Sequence, residues 1–450
     1  MRKLFQTRAE AWISSLGLLA LGAMFLHWRL VNNTANHAGR LMAGLSVLLF
    51  AWGCLQFVRQ WMAFWSGRQE LSPESAGEKG CAIWKVGPLS LLAALMELGL
   101  ILALRAWMGD PGGLEARLRW FAGIDTGNYM DIARYWYAPT PLAEERRLAF
   151  YPLYPLLTRG LWLLGLELYT AGTLVAVLFY SLSNCVLYRL LCLDYPEERA
   201  RSVMKYTALL PAAFFFAAPM SESVFFFWCL LSYYLARKGR WLGAGAAGAL
   251  AAFARSLGVL VFAPLLFEAV AAWIREPGKT RRGVWRVACC FLVLLGLAGY
   301  LWINYRYYGD PFHYMEVEAE HWGQRMGLFF RSVAFQTDNA LADIQQPYAL
   351  SSLGIWIPNV LWIMAALLLF ALTGGKLRAS YGVWFIVYAF FALAPTFLIS
   401  APRYLVAAVP VYPALASLGL SRRLDRALAL LCALAALVYI LAFVNGMGVY

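Results

Sequence analysis

Uncharged apolar runs about twenty residues long recur along this chain, and no other feature limits its fold so tightly. The stretches 351-372 and 427-445 contain no charged residue at all. A helix needs about 20 such residues to cross the hydrocarbon core of a bilayer. Inside that core the backbone must satisfy its own hydrogen bonds, which leaves helices and closed barrels. These runs lack the apolar-polar alternation of barrel strands, so the expected fold class is an all-α integral membrane protein. Thirteen runs are candidate spans, at roughly 10-30, 41-65, 88-108, 168-190, 203-219, 222-236, 241-253, 257-274, 287-306, 351-372, 380-399, 404-420 and 427-445. The middle four are close to the lower length limit and read as tilted spans or as paired half-helices around a cavity. The composition agrees: 62% of the 450 residues are hydrophobic and 14% charged, against about half and about a quarter in soluble domains.

Charge sets the expected orientation. The net charge of +13 comes from bases in short connections, as the positive-inside rule requires, and not from a basic surface for nucleic acid. One set of connections carries Arg68 and Lys79; Arg199, Arg201 and Lys205; Arg237, Lys238 and Arg240; five bases from Arg275 to Arg286; Lys376 and Arg378; and Arg422, Arg423 and Arg426. These read as cytoplasmic. The opposite connections hold Glu115, Asp125, Asp131, Glu145, Glu222, Asp310, Glu316, Glu318, Glu320, Asp338 and Asp343, and read as exterior. The basic start, Met1 to Arg8, precedes an apolar run with no small-residue cleavage site, so it reads as a retained first span. The chain is expected to be one polytopic membrane domain, 1-450, with no internal repeat. Its large exterior loops are 109-167 and 307-350, both rich in aromatics and in amphipathic stretches that suit interfacial helices.

No cysteine falls in an exterior loop, so no disulfide framework is expected. His27, His37, His313 and His321 have no metal-ligand spacing. Glycine-rich phosphate loops and nucleophile elbows are absent from the sequence, which argues against a cytoplasmic nucleotide-sugar site.

Several exterior segments could carry chemistry. Asp125 precedes a short amphipathic pattern in which Tyr129, Ile132, Ala133 and Trp136 share a face. It is either a helix N-cap or a catalytic carboxylate. Phe150-Tyr151-Pro152-Leu153-Tyr154-Pro155 breaks regular helix at an entry point, either as an interfacial turn or as the wall of a cavity. Pro219-Met220-Ser221-Glu222-Ser223 puts a carboxylate at the membrane boundary, and Ala254-Arg255-Ser256 puts a cation there. An arginine in so apolar a setting needs water or a partner. That partner is a carboxylate or a phosphate, whose oxygens a guanidinium matches two at a time. Arg403, in Pro402-Arg403-Tyr404, poses the same question. The second large loop holds Gly309-Asp310-Pro311, then Glu316, Glu318, Glu320, Trp322 and Arg325; its carboxylates read as the solvated face of an amphipathic helix.

In this order the segments resemble the PIG-V family of mannosyltransferases, within the GT-C class of polytopic glycosyltransferases, and its bacterial branch most closely. The likeness runs from about Trp120 to Tyr404 and leaves the first three spans without a counterpart. The family's Trp-Asp motif is met by Asp125, Gly127, Tyr129, Ile132, Ala133 and Tyr137, with Ile124 in place of the usual Trp. Its aromatic-Pro motif is met at Phe150 to Pro155 and its Pro-x-Ser-Glu-Ser turn at Pro219 to Ser223. Of its Thr-Arg-Pro-like segment only Arg255 remains. Gly309 to Pro311, followed by Trp322 and Arg325, and Pro402 to Tyr404 complete the series. The resemblance implies a GT-C-type helical bundle on the outer face of the cell membrane, with a polyprenyl-phosphate-linked sugar donor. It also implies mannose as the sugar, inversion at the anomeric carbon, and Asp125 as the base.

On that reading Arg255, Arg403 and Arg325 are candidates for the donor phosphate. Tyr129, Asp131, Tyr151, Glu222 and Trp322 are candidates for substrate contact. The acceptor is a lipid or a glycan, the donor tail lies among membrane lipids, and neither metal nor cofactor is called for. Two other readings stay open: a transporter or flippase of lipid-linked sugars, which would favour paired repeats and midplane broken helices, and a GT-C transferase of different sugar or acceptor.

Overall fold

The computed structural model describes residues 8-31, 35-65, 83-109, 112-138, 145-276, 278-345 and 351-449. Arg68 and Lys79 lie outside the described residues. The apolar runs form the helices α1 (Arg8–Val31), α2 (His37–Trp65), α3 (Ile83–Trp107), α6 (Leu168–Cys192), α7 (Glu222–Arg237), α8 (Trp241–Ala254), α9 (Phe262–Ile274), α11 (Val293–Tyr308), α14 (Ile357–Thr373), α15 (Ala379–Leu393) and α16 (Arg422–Val444). Between them lie the shorter or amphipathic α4 (Thr126–Tyr135), α5 (Leu153–Leu163), α10 (Thr280–Cys290), α12 (His313–Trp322) and α13 (Phe329–Ile344).

Among the described residues, 8 helical segments are long and apolar enough to cross a membrane. Their outward leucines, such as Leu19, Leu48, Leu92 and Leu437, are exposed. In water such a surface would aggregate; in lipid it is the matching face. The chain is a multi-pass membrane protein with an all-helical architecture.

Helices α7 and α8 form the centre of the bundle. The first packs against α6, the second against α11. Without lipid-driven association, close backbone packing holds such pairs. Gly296 of α11 shows it: a Cβ there would lie 1.9 Å from the Ala249 carbonyl oxygen.

Two of the thirteen runs break at prolines into short pieces, and a third, 287-306, crosses from α10 into α11. The run 203-219 breaks into the ends of two short helices, Glu197–Met204 and Tyr206–Leu209, and a 3-10 turn, Ala213–Phe216. The run 404-420 breaks into Ala401–Val406 and Val411–Ser417. Proline is the physical cause: Pro211 and Pro219 interrupt the first and Pro410 the second, each removing a donor and obstructing the preceding turn. Both segments are almost wholly buried, the condition under which irregular backbone is tolerated at membrane depth. They touch each other, with the Arg403 guanidinium 5.5 Å over the Phe215 ring. The first break ends just before Glu222 and the second carries Arg403.

Candidate active site

Asp125 is the N-cap residue of α4, and its carbonyl accepts bonds from the Asn128 and Tyr129 amides. Its side chain makes no capping bond. Instead Oδ2 accepts a bond of 2.6 Å from Nη1 of Arg403, a residue 278 positions away along the chain. Capping therefore does not explain this carboxylate.

Arg403 sits in the Ala401–Val406 helix with a proline at the first turn, where the missing amide proton costs nothing. Its side chain is 5% exposed. The same guanidinium lies 3.4 Å, through Nε, from Oε1 of Glu222. Glu222 opens α7, so the helix dipole favours its negative charge. Nη1 of Arg255 donates to Glu222 Oε1 and, at 3.0 Å, to the Ser221 hydroxyl. That hydroxyl also bonds the Tyr129 hydroxyl at 2.7 Å.

The break that delivers Arg255 has its own local cause. α8 stops at Ala254, Arg255 is extended at φ −158°, and a 3-10 turn follows. Gly258 is what lets the turn close, since a Cβ there would meet the Ala251 carbonyl oxygen at 1.9 Å.

Asp125, Arg403, Glu222, Arg255, Ser221 and Tyr129 thus form one continuous polar chain from separate parts of the sequence. It is not saturated. Glu222 Oε2 and the Tyr154 hydroxyl are buried without a hydrogen-bond partner, and Arg403 Nε has only its 3.4 Å ion-pair contact with Glu222. Buried unpaired polar atoms cost about 1–3 kcal/mol each, so they are rare without a reason.

The chain borders a cavity of about 330 Å³, within the usual span for small-molecule sites. Asp125, Tyr129, Tyr151, Arg255, Trp322 and Arg403 all face it. Glu222 holds both arginines from behind. Two expected residues are elsewhere. Asp131 is exposed on the far side of α4 and does not line the cavity. Arg325 is fixed by its backbone to Thr396, with its amide 3.0 Å from the threonine hydroxyl and its carbonyl 2.8 Å from the threonine amide; its side chain is not part of the wall.

The aromatic candidates differ in what they can offer. Tyr129 is pinned edge-on between Phe150 and Tyr154. Tyr151 has one face covered by Tyr300, centroid to centroid 3.8 Å. Trp322 meets Phe150 edge-on at 6.0 Å and is only partly buried.

Glu318 also lines the cavity, which the solvated-helix reading missed. On α12, Glu316 and Glu320 are an i,i+4 pair and are exposed. Glu318 and Trp322 are a second i,i+4 pair, rotated about 200° from the first. The period was available in the sequence; which face turned inward was not. Burial raises the Glu318 carboxyl to about 7.

No family model and no curated protein matches the chain. Among solved structures it is similar to ArnT from Cupriavidus metallidurans bound to undecaprenyl phosphate, with a TM-score of 0.44 and 14% identity over 79% of this chain and 75% of that one. The apo state of the same protein gives a TM-score of 0.44 and 15% identity over 73% of each chain. Likeness at that level extends to neither activity nor ligand.

Proposed function

We propose that this chain is an inverting GT-C-type glycosyltransferase. It moves a sugar, mannose by the family resemblance, from a polyprenyl-phosphate donor to an acceptor hydroxyl on the non-cytoplasmic face. The observation that carries the reading is the convergence of one partly exposed carboxylate, Asp125, with a buried arginine, Arg403, and a largely buried one, Arg255, on one cavity. Five segments of the motif series line it, those of Asp125, Tyr151, Arg255, Trp322 and Arg403, and the sixth sets Glu222 behind the arginines.

The chemistry is a single in-line displacement. The acceptor oxygen attacks the anomeric carbon, the carbon–oxygen bond to phosphate breaks, and the lipid phosphate leaves with its extra negative charge. Asp125 takes the acceptor proton through Oδ1, because Oδ2 is engaged by Arg403. Arg255 and Arg403 stabilise the charge on the leaving phosphate. Both guanidiniums are already in place and already desolvated, so little reorganisation accompanies the reaction. Phosphate oxygens compete with Glu222 and Asp125 for the same N–H donors, which links donor binding to release of the carboxylate that must act as base. Arg325 is left out of this assignment because its side chain is not in the cavity wall.

The test is transfer by the purified protein from polyprenyl-phosphate-mannose to an alkyl mannoside. Wild type is expected to transfer and Asp125→Asn to lose transfer. Undiminished transfer by a well-folded Asp125→Asn protein would remove Asp125 as the base. Cysteine labelling beside Asp125 from each side of the membrane tests the face; labelling only from the cytoplasm would overturn the donor assignment.

A further inference from the structure

The proposed reaction uses the arginines of the cavity and leaves the part of its wall around Glu318 without a role. That wall is built by α12, where Glu318 and Trp322 project together, and by Tyr151 and Phe150. Its chemistry differs from that of the part around Arg255 and Arg403. Arg146 lines the same cavity, and the charged groups of the neighbouring segments have partners of their own. Glu145 lies 3.3 Å from His313, and Arg146 donates to His321. Arg147 donates to the carbonyls of Trp136 and Ala138. From α11, Tyr300 donates to the Leu148 carbonyl, Tyr308 stacks on His313 and Arg306 lies over Tyr307. Tyr314, on α12 itself, packs edge-on to Tyr300 at 5.3 Å.

Glu318 is therefore a carboxylate among aromatic rings, facing a cavity, beside a partly open indole. A carboxylate is an acceptor only, with about four lone-pair sites. It suits a partner carrying several hydroxyl donors. An indole face next to it suits the apolar C–H face of a ring. A sugar has both surfaces at once.

We infer that Glu318 and Trp322 form a sugar-ring subsite, in which the carboxylate accepts hydrogen bonds from ring hydroxyls and the indole covers the C–H face. The inference rests on the glycosyl-transfer reading of the same cavity and deepens it: a glycan, not an apolar alcohol, is the chemistry this wall recognises. The ring is either that of the acceptor or that of the donor. Hydrogen bonds to an ionised carboxylate are the stronger ones, so affinity falls as pH drops through about 7, where Glu318 takes up its proton.

The experiment uses the full chain in detergent and three probes: methyl α-mannoside, undecaprenyl phosphate and undecaprenyl-phosphate-mannose. Methyl mannoside binding is read by saturation-transfer NMR and the lipids by native mass spectrometry. Glu318→Gln and Trp322→Ala are each expected to weaken methyl mannoside binding at least about tenfold, with undecaprenyl phosphate affinity within about twofold of wild type. That result assigns the subsite to the acceptor. If the variants instead remove only the affinity that mannose adds to the lipid phosphate, the subsite holds the donor sugar. Wild type should lose about tenfold in sugar affinity between pH 8 and pH 6, and Glu318→Gln should lose none. Unchanged sugar affinity in both variants, with wild type flat in pH, overturns the subsite. Should Glu318→Gln fail to fold, Trp322→Phe and the wild-type pH series carry the test. Failure of wild type to bind undecaprenyl phosphate would sink the transferase reading separately, while the methyl mannoside titration still reads the wall.

Discussion

Two clusters of four charged side chains sit at opposite ends of one helix, and they behave differently. α7 runs from Glu222 to Arg237 over 16 residues, about 22 Å at 1.5 Å per residue. At its start are Asp125, Glu222, Arg255 and Arg403. At its end are Asp194, Glu268, Arg237 and Arg378. In the second cluster Arg237 meets Asp194 through two bonds of 2.8 Å. Arg378 meets Glu268 at 2.6 and 2.8 Å. Ser380 and Tyr233 add bonds to Glu268 at 2.6 and 3.2 Å, and Tyr381 adds one to Asp194 at 3.1 Å. None of these side chains has a buried polar atom without a partner. The first cluster has fewer bonds, shared guanidiniums, orphaned atoms and a cavity beside it. Equal numbers of the same charges make a clamp when each arginine forks onto its own carboxylate, and a site when that pairing is left incomplete.

The contrast is tested most severely by removing one charge from each end. Asp125→Asn is expected to lower transfer by about 10²–10⁴-fold, the usual worth of a general base, with the thermal midpoint little changed. Arg378→Ala should do the reverse. It strands Glu268 as a buried unpaired carboxylate, at a cost of about 3–5 kcal/mol, read as a lower melting midpoint and poor recovery from the membrane. Replacing both partners, Glu268→Leu with Arg378→Met, should restore most of that stability, because an apolar pair has no charge to strand. If the double variant is as unstable as the single one, the second cluster is more than a clamp.

Arg255→Lys probes the Glu222 end more gently. Lysine keeps the charge but loses the planar fork, and Ser221 and Glu222 can no longer both be reached by one rigid group. Affinity for undecaprenyl phosphate should fall about tenfold, or about 1.4 kcal/mol, with folding intact. An unchanged affinity would mean that Arg255 only braces Glu222.

The same contrast marks what the sequence could reveal. The all-helical, membrane-spanning architecture was legible because a bilayer dictates both helix length and apolarity, and these are written locally. The separate site segments were legible too, because Asp125, Arg255 and Arg403 are polar where the surroundings are not. Their pairing was not, since a contact between residues 278 positions apart, such as Arg403 to Asp125, depends on how distant segments pack. The second cluster was illegible for a related reason. Arg237 and Arg378 look like ordinary loop bases, and only the fold pairs them with Asp194 and Glu268. Glu318 was lost among three glutamates at alternate positions, since periodicity separates the faces of α12 but does not say which face is covered.

Glu318→Gln separates site from clamp by stability alone. Because burial raises its carboxyl to about 7, well above the range of an unfolded glutamate, the folded state is penalised once the group ionises. Stability from this residue is therefore lost as pH rises from the unfolded value through about 7. The neutral amide should melt higher than wild type at pH 8 and at nearly the same temperature at pH 4, below the unfolded value. A functional group held at a cost to the fold behaves this way; a clamp residue such as Glu268 does not.

The smallest expected effect is that of Arg325→Ala. Its backbone is tied to Thr396, whose neighbours Pro395 and Phe397 line the cavity, so the residue lies close to the site without its side chain entering it. Undecaprenyl phosphate affinity should stay within about twofold of wild type. A loss of about tenfold or more would mean that the 323-327 segment swings its guanidinium inward when the lipid arrives. The first cluster would then owe its unfilled bonds to a third arginine that joins only with substrate, a possibility closed to the saturated second one.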